Sequence, residues 1–201
     1  MKIGRAALAQ LDVLIANAGP LKGNFFRPVA FRYFHPDDVI SGDGTRIHGG
    51  RFAPAGVPAV YASRDEETAM REVTARKDVL GGHSQIEIED YPRMTCVPAV
   101  STSWNLDLTQ AVTVSLGRVI QQCATARSRN DSQQIASVWL DAGIESVIFP
   151  SATGTGKNVV IYPGNSPSGG VAVLNRDKVL SAIRQSPGGV RRHGPERIRK
   201  P

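Results

Sequence analysis

The first part of the chain carries apolar residues at the spacing of an amphipathic helix. They recur at intervals of three and four residues, at Leu8, Leu11, Ile15 and Ala18. Because Gln10 and Asp12 interrupt the apolar run, the pattern predicts a helix over residues 6–18 rather than a secretory signal. We expect Gly19 and Gly23 to end this helix.

Short apolar runs between turn residues predict strands in the rest of the chain. We expect them over residues 25–34, 59–62, 85–88, 94–100, 144–149, 158–162 and 171–174. Helical patterns lie between them, over residues 64–77, 116–126 and 132–142 and again after residue 174. Because strands and helices interleave without a regular βαβ rhythm, we predict an α+β fold with a mixed, mostly antiparallel central sheet and flanking helices.

Capping residues predict where two of these helices begin and end. Ser63 followed by Glu66 has the spacing of a capping box, which is expected to start the helix over residues 64–77. Asp131 is expected to cap the helix over residues 132–142, and Gly143 to end it.

The apolar residues of segment 35–58 follow neither the helical nor the strand spacing, and the segment is rich in glycine and proline, which predicts a long loop. A loop of this length inside a compact domain is more often functional than decorative. Gly49 and Gly50 would let a ligand approach backbone N–H groups, with Arg46 and Arg51 as partners for its anionic part. The alternative is a tight turn with two solvated arginines.

The composition limits the class of protein. The chain of 201 residues has 41% hydrophobic and 21% charged residues, which is typical of one soluble globular domain. Its net charge is +6, and residues 191–201, with five basic residues and one acidic residue, contribute +4 of it. We divide the chain into an N-terminal helical segment at 1–22, a folded domain at 23–185 and a basic tail at 186–201. Since the charge belongs largely to the tail, direct nucleic-acid binding is not expected.

The cysteines and histidines argue against a disulfide framework and a metal site. Cys96 and Cys123 are too few for such a framework, and no run of about 18 apolar residues would span a membrane. We therefore expect a cytoplasmic protein that makes no membrane contact. The four histidines share no metal-ligand spacing with the cysteines, so no metal is expected.

The glycine-containing segment at residues 151–157 is not a phosphate-binding P-loop. It has Ser151 where that motif needs glycine and Asn158 where it needs serine or threonine, and a strand is predicted to follow. Ser151 also lacks the Gly-x-Ser-x-Gly sequence of many serine hydrolases, so serine hydrolysis is not favoured.

Several other residues have both a functional and a simple interpretation. Glu72 lies near the edge of the apolar stripe of its predicted helix, where the simple interpretation is a surface pair with Arg76. Arg32 stands in an aromatic strand, where a guanidinium needs an anion unless it faces solvent. Tyr61 and Ser151 end predicted strands, where residues often line clefts.

An ordered set of short motifs resembles the RES domain family, named for its arginine, glutamate and serine. The matching stretches are Phe31-Arg32-Tyr33, Gly44-Thr45-Arg46, Gly49-Gly50-Arg51-Phe52, Val60-Tyr61-Ala62-Ser63, Ala69 to Glu72-Val73, Phe149-Pro150-Ser151 and Gly156-Lys157-Asn158-Val159-Val160. The resemblance spans residues 25–162. After Gly-Gly-Arg the family often has tryptophan and asparagine, where this chain has Phe52 and Ala53.

The resemblance implies a toxin of a bacterial type II toxin–antitoxin pair, with a fold similar to that of ADP-ribosyltransferases. Its partner would be an Xre-type antitoxin that blocks the pocket. Family members consume NAD+ as a substrate, so residues 23–185 would form an NAD-binding catalytic domain. The acceptor stays open between water, inorganic phosphate and a protein target of ADP-ribosylation. The remaining alternative is a non-catalytic module whose basic tail binds nucleic acid or an acidic partner.

The resemblance also assigns roles to the candidate residues. Cleavage of the nicotinamide–ribose bond develops positive charge on the ribose, and Glu72 would stabilise that charge or hold the ribose hydroxyls. Arg32 and Arg51 would clamp the pyrophosphate with their planar guanidinium groups. Tyr61 would stack on the nicotinamide ring, and Ser151 would donate to the ribose or the carboxamide. Further contacts to the nucleotide are expected from Arg46, Gly49, Gly50 and Asn158.

Overall fold

The structure is a computed structural model that describes residues 4–30, 35–80, 93–110, 114–125, 129–166 and 170–185. Its helices are α1 (Arg5–Ala16), α2 (Pro36–Ser41), α3 (Asp43–His48), α4 (Glu66–Leu80), α5 (Val114–Thr125), α6 (Asn130–Asp141) and α7 (Arg176–Gln185), with a 3-10 turn at Leu108–Gln110. Its strands are β1 (Gly19–Asn24), β2 (Arg27–Ala30), β3 (Val60–Ser63), β4 (Arg93–Cys96), β5 (Pro98–Asp107), β6 (Ser146–Pro150), β7 (Lys157–Ile161) and β8 (Val171–Val173).

The central sheet has the strand order β1-β5-β6-β7-β3, and β8 pairs with β5 beside this path. Its pairs are antiparallel except for the pair of β5 with β6, which is parallel. Strands β2 and β4 form a separate antiparallel sheet. The predicted α+β fold, with a mixed and mostly antiparallel sheet and flanking helices, is thus confirmed for the described residues.

Aromatic side chains fill the core between the sheet and helices α1, α5 and α6. Phe52 is fully buried, with its ring centroid 4.8 Å from that of Phe149 and 5.6 Å from that of Trp139. Trp139 donates to the Tyr162 hydroxyl at 2.9 Å, and this hydroxyl donates to the Phe52 carbonyl at 2.8 Å. Burial raises the pKa of Tyr162 well above its usual value. Phe52, which departs from the common RES pattern, is therefore a core residue.

The chain after the first helix is a strand, so the prediction that glycines only break the helix there is incomplete. Strand β1 pairs with β5, with Leu21 opposite Thr102 and a bulge between Gly19 and Leu21. Pro20 has no N–H to donate, and the bulge at the sheet edge accommodates it. Pairing with the long strand β5 thus outweighs the poor strand propensity of glycine, proline and asparagine.

The continuous loop predicted at residues 35–58 is wrong, because its first half forms helices α2 and α3. Gly42 joins them with φ +73, and a Cβ on it would lie 2.5 Å from the backbone nitrogen of Ala59. This left-handed turn and close approach require glycine. Each helix has only six residues, too few for a helical period to stand out in the sequence.

One predicted strand is divided in the structure, and two others lie partly or wholly outside the described residues. The strand predicted at residues 94–100 is divided at Val97, whose N–H donates to the side chain of Asn175 at 3.0 Å. The strand predicted at residues 85–88 and the last part of the one predicted at 25–34, residues 31–34, lie outside the described residues.

Of the two predicted ends of α6, only the C-terminal one agrees with the structure. Arg129 precedes the helix as its N-cap without a capping bond from its side chain, and Asp131 lies in the first turn, so the cap predicted at Asp131 is wrong. Gly143 follows the helix with φ +79, in the left-handed conformation that ends many helices, as predicted.

Candidate active site

Helix α4 begins at a cap that the sequence pattern did not identify. Asp65 accepts from the backbone N–H of Thr68 at 2.7 Å and from the Thr68 hydroxyl at 2.8 Å. These two bonds lower the pKa of the Asp65 carboxyl. The capping box predicted from Ser63 and Glu66 is therefore wrong: Ser63 ends β3 and donates its hydroxyl proton to Asn158.

Three donors converge on one carboxylate oxygen of Glu72, in helix α4. Oε1 accepts from the Ser151 hydroxyl at 2.6 Å, from Asn158 Nδ2 at 2.7 Å and from the Ala152 N–H at 3.0 Å. Hydrogen bonds of this kind fix the position of a carboxylate and match its negative charge. Among the described residues, all hydrogen bonds to Glu72 end on Oε1.

These contacts favour the functional interpretation of Glu72. A solvated carboxylate on a helix surface needs no such partners. The three donors of Glu72 lie in β7 and in the loop after β6, at sequence separations of 79, 80 and 86. Glu72 therefore faces the sheet ends. The side chain of Arg76, its alternative partner, lies outside the described residues.

The hydrogen bonds around Ser151 have one consistent direction. A carboxylate only accepts, so the single hydroxyl proton of Ser151 is donated to Glu72. The Ser151 oxygen then accepts from the Thr153 hydroxyl at 2.7 Å and from the Thr153 N–H at 3.1 Å. The donor that was predicted for the ribose or the carboxamide is thus used on Glu72, and Ser151 holds the carboxylate in place.

The amide of Asn158 is held at both ends. Nδ2 donates to Glu72, and Oδ1 accepts from the Ser63 hydroxyl at 2.7 Å. This assigns the orientation of the amide, since only its nitrogen can donate to a carboxylate. Ser63 and Asn158 are directly opposite each other in the antiparallel pair of β3 with β7.

Sequence reasoning missed three members of this network: the side chains of Ser63 and Thr153 and the backbone N–H of Ala152. Side chains alternate along a strand, so the position of Ser63 two residues after Tyr61 would have placed both on one face of the sheet. No comparable signal marks Thr153, because its partner depends on the conformation of the loop.

The loop that carries Ser151 is fixed to helix α4 at two further points. Gly156 has φ +84, and a Cβ on it would lie 2.0 Å from the hydroxyl oxygen of Thr68, so only glycine fits there. Arg71 donates to the Thr155 hydroxyl at 2.5 Å. The Ser151 N–H donates to the Gly156 carbonyl at 3.1 Å and closes the loop on itself.

Tyr61 lies on the same face of the sheet as Ser63, beside the Glu72 network. Its half-buried ring meets Phe149 edge-on, with centroids 6.4 Å apart. Its hydroxyl accepts from the Phe52 N–H at 2.8 Å. These contacts fix the ring in place, while its stacking on nicotinamide stays a prediction.

The turn at Gly49 and Gly50 uses its backbone donors within the chain. The Gly49 N–H donates to the Thr45 carbonyl and the Gly50 N–H to the Ala53 carbonyl, each at 2.7 Å. A Cβ on Gly50 would lie 2.6 Å from the Tyr61 hydroxyl oxygen, so this glycine makes room for the tyrosine. The prediction that these N–H groups are open to a ligand is therefore wrong, and any other contact of the pair to a nucleotide stays a prediction.

The arginines of the predicted pocket differ in what they contact. Arg46 is exposed and pairs with Asp43 at 2.8 Å, three residues away on α3. Arg51 donates to the carbonyl of Cys123, in the last turn of α5, at 2.6 Å. Arg32 lies outside the described residues.

The cysteines and the possible metal ligands were compared over the residues that the structure describes. Cys96 and Cys123 are buried, and burial raises the pKa of each thiol to about 11, so neither is a thiolate near neutral pH. No cluster of His, Cys, Asp and Glu within the described ranges could hold a metal ion. The helices that the structure describes include none that is long and apolar enough to cross a membrane.

A cavity of about 440 Å³ lies against the apolar cluster that contains Leu21, Phe25 and Ile148. Of the predicted site residues that the structure describes, Asn158 alone lines it. The cavity therefore meets the Glu72 network at Asn158.

Comparisons with known proteins agree with this architecture. The RES domain family matches residues 25–181 of the chain. No curated protein matches the sequence. Among solved structures, the fold is similar to a chain in the crystal structure of the M. tuberculosis MbcT–MbcA toxin–antitoxin complex, with a TM-score of 0.65 and 18% sequence identity over 86% of this chain and 91% of that chain. At this identity the likeness shows a shared fold.

Proposed function

The chain belongs to the RES domain family, and from this premise we propose that it is a cytoplasmic toxin of a toxin–antitoxin pair that cleaves the nicotinamide–ribose bond of NAD+ and so arrests growth. The observation that supports this most is the carboxylate of Glu72, whose Oε1 is held by three donors. A carboxylate fixed in this way can present its second oxygen to a reacting ribose. The shared fold with a chain of a toxin–antitoxin complex supports the toxin role.

The proposed reaction needs a fixed negative charge more than it needs a proton donor. As the bond between ribose C1′ and the pyridine nitrogen breaks, its electron pair goes to the nitrogen, and cationic nicotinamide leaves as a neutral molecule. Positive charge develops on C1′ and the ring oxygen, as in glycoside cleavage. Oε2 of Glu72 would stabilise this charge or hold the ribose hydroxyls, so the step requires no metal ion.

The residues around Glu72 would prepare it for this step. Ser151, Asn158 and the Ala152 N–H keep the carboxylate from rotating, so little reorganisation is needed when the charge develops. Tyr61, whose ring is fixed beside the network, is proposed to stack on the nicotinamide.

The pyrophosphate would be bound by arginine. We propose Arg32 and Arg51 for this contact, since a planar guanidinium binds phosphate oxygens in pairs. The bond from Arg51 to the Cys123 carbonyl would hold its guanidinium in one orientation. Arg46, exposed and paired with Asp43, is a weaker candidate for the same nucleotide.

Glu72→Gln is the direct test of the proposal. The amide keeps the shape of the side chain and still offers one oxygen to the three donors, but it carries no charge. We expect release of nicotinamide from NAD+ to fall about 100-fold or more, with the thermal unfolding temperature little changed. Expression of the wild-type protein should arrest growth, and expression of the variant should not.

Glu66→Gln is the matched control, because Glu66 is an exposed carboxylate in the first turn of the same helix. It should cleave NAD+ at the wild-type rate. Full activity in Glu72→Gln would show that Glu72 takes no part in the mechanism. Absence of NAD+ turnover by the wild-type protein would refute the proposal that the protein is an enzyme. The latter result would favour the alternative of a binding module that acts through the tail, residues 186–201.

The acceptor is the finer question within the proposal. Attack on C1′ by water yields ADP-ribose, attack by inorganic phosphate yields phosphorylated ADP-ribose, and attack by a protein side chain yields an ADP-ribosylated target. Each acceptor that attacks through an O–H group releases its proton to solvent. Incubation with NAD+ labelled in its adenylate part, with and without phosphate and cell lysate, separates the three products.

An antitoxin of the Xre type is the proposed partner, and it would block the cleft at Glu72. Addition of the protein encoded beside the toxin should abolish nicotinamide release at a one-to-one ratio. Release that continues in the stable complex would show that the partner does not cover the cleft.

A further inference from the structure

We propose that Ser63 is a positioning residue for Glu72 that acts through Asn158; this inference rests on the proposed cleavage of NAD+. Ser63 is 4% exposed, and its hydroxyl donates to Asn158 Oδ1 at 2.7 Å. Asn158 Nδ2 in turn donates to the Glu72 carboxylate, also at 2.7 Å. Ser63 thus reaches the carboxylate through a single intermediate side chain.

The backbone of Ser63 is fixed from two sides. Its N–H donates to the Phe26 carbonyl, and its carbonyl accepts from the Phe26 N–H, both at 2.8 Å. On the other side, Ser63 is the partner of Asn158 in the pairing of β3 with β7. A side chain at such a doubly paired position has little freedom to move, so its hydroxyl is a fixed donor.

The amide of Asn158 transmits this fixed position to Glu72. The amide is planar, so the bond that Oδ1 accepts from Ser63 sets the direction in which Nδ2 donates. The last torsion of asparagine is broad, and without Ser63 the amide would rotate away from Glu72 more freely. The bond at Oδ1 also polarises the amide and makes its N–H groups stronger donors.

A purely structural role would look different. A buried serine that only satisfies the hydrogen bonds of its neighbour contributes to the stability of the fold, and its loss lowers the unfolding temperature. A positioning role predicts in addition that the rate at which bound NAD+ is cleaved falls, while the affinity for NAD+ is unchanged. The two roles are therefore separated by kcat and KM measured together with stability.

Ser63→Ala removes the donor, and Ser63→Thr keeps it. We expect Ser63→Ala to lower kcat about tenfold with KM within about twofold of the wild type. Ser63→Thr should recover most of kcat, because its hydroxyl can donate to the same oxygen. If Ser63→Ala does not fold, Ser63→Cys takes its place, since a thiol has nearly the same shape and is a weak donor.

Ser146→Ala is the matched control. Ser146 is fully buried in β6, and its hydroxyl bonds to Thr102 at 2.8 Å and to Asn105 at 3.0 Å, with no bond to the Glu72 network among the described residues. It should lower the unfolding temperature and leave kcat near the wild-type value.

Nuclear magnetic resonance of the Asn158 side-chain NH2 group gives a measurement that needs no turnover. In the wild type and in Ser63→Thr, these protons should exchange slowly with water, because Nδ2 is bonded to Glu72. In Ser63→Ala they should exchange several-fold faster, and in Ser146→Ala they should not change.

Unchanged kcat and unchanged Asn158 exchange in Ser63→Ala would overturn the proposal. Equal loss of kcat in Ser63→Ala and Ser63→Thr would also overturn it, since the hydroxyl would then not be what matters. A wild-type protein without NAD+ turnover refutes the proposed function instead, and the exchange of Asn158 still tests the hold of Ser63.

Discussion

The two halves of the predicted pocket are built in different ways, and the first half is defined by contacts between distant residues. Glu72 bonds to Ser151 and Asn158, 79 and 86 positions later in the chain. These polar side chains come from a helix, a strand start and a loop, and they bond to one another. This half is therefore a polar network that the fold assembles around one carboxylate.

The second half, the turn around Gly49 and Gly50, is held through its backbone: Gln133 donates to the Gly50 carbonyl at 2.8 Å and Arg129 to the Gly49 carbonyl at 3.1 Å. Both glycine N–H groups are used within the turn, and Arg46 pairs with a carboxylate three residues away. Arg51 extends to the end of helix α5. This half therefore has the organisation of a structural support for one side of the predicted pocket.

The difference teaches which polar residues are functional candidates. Several side chains from distant segments that converge on one carboxylate cost desolvation of a charged group, so such a network is a functional candidate. In the second half, the side chains of Arg51, Arg129 and Gln133 bond instead to backbone carbonyls, groups that turns and helix ends leave without a partner. We therefore expect substitutions around Glu72 to change activity, and substitutions in the turn to change stability first.

Gly156→Ala should have the largest effect on stability and tests whether the Glu72 half depends on its loop. The new Cβ would lie 2.0 Å from Thr68 Oγ1, and Thr68 is held by Asp65, so it cannot turn away cheaply. This clash and the left-handed φ of +84 should together lower the free energy of unfolding by about 3 kcal/mol. Nicotinamide release should fall as well, because Ser151 is displaced with the loop.

Gly154→Ala is the matched control for this prediction. Gly154 has φ +88, but a Cβ on it would meet nothing within 4 Å. It should cost about 1 kcal/mol, from the backbone conformation alone, with activity retained. Urea unfolding and nicotinamide release measure both variants, and equal losses in the two would contradict the docking of the loop on α4.

The parts of the fold that could be predicted are those with a strong local pattern. Strands β3, β6 and β7 are runs of apolar residues, and the structure buries nearly all of them. Strand β1, with the sequence Gly-Pro-Leu-Lys-Gly-Asn, has no such pattern, because its conformation comes from pairing with β5. Local propensity cannot show a conformation that a distant neighbour imposes.

The site could be predicted only as far as residue types allow. Spacing alone favours a surface pair with Arg76 for Glu72, and the resemblance to the RES family makes it the leading candidate. Its three donors lie too far along the chain for spacing to show them. Ser63 was assigned to a capping box, because Ser-x-x-Glu has the same spacing whether or not the serine caps a helix. Gly50 was assigned to a ligand, while the group that fills its space is the ring of Tyr61, in another element.

Arg51→Lys should have an intermediate effect and tests the turn as a scaffold. The guanidinium donates to the Cys123 carbonyl, one of the carbonyls at the end of α5 that have no partner inside the helix. Lysine keeps the charge but is shorter and not planar, so we expect a loss of about 1–2 kcal/mol of stability. If Arg51 also binds the pyrophosphate, KM for NAD+ should rise several-fold.

Arg46→Lys serves as the control for Arg51→Lys, since Arg46 is exposed and paired only three residues away. It should change stability by less than about 0.5 kcal/mol, as exposed ion pairs contribute little. An effect on stability or KM as large as that of Arg51→Lys would show that the exposed arginine belongs to the site, and it would break the comparison between the two halves.

Asp65→Ala should have the smallest effect and sharpens the comparison through pH. Removal of this cap from α4 should cost about 1 kcal/mol at pH 7, while Glu72 keeps its own three bonds and most of the activity.

The bonds from Thr68 lower the pKa of Asp65 in the folded state, below the value of about 3.9 in an unfolded chain. The stabilisation is therefore complete above about pH 4 and is lost as the pH falls through the folded pKa. Urea unfolding of wild type and variant should give curves that converge in acid, whereas Asp65→Asn, which keeps an acceptor without the charge, should differ from Asp65→Ala by an amount that acid does not change. A difference between wild type and Asp65→Ala that persisted undiminished in acid would mean that the charge of Asp65 does not contribute to the cap.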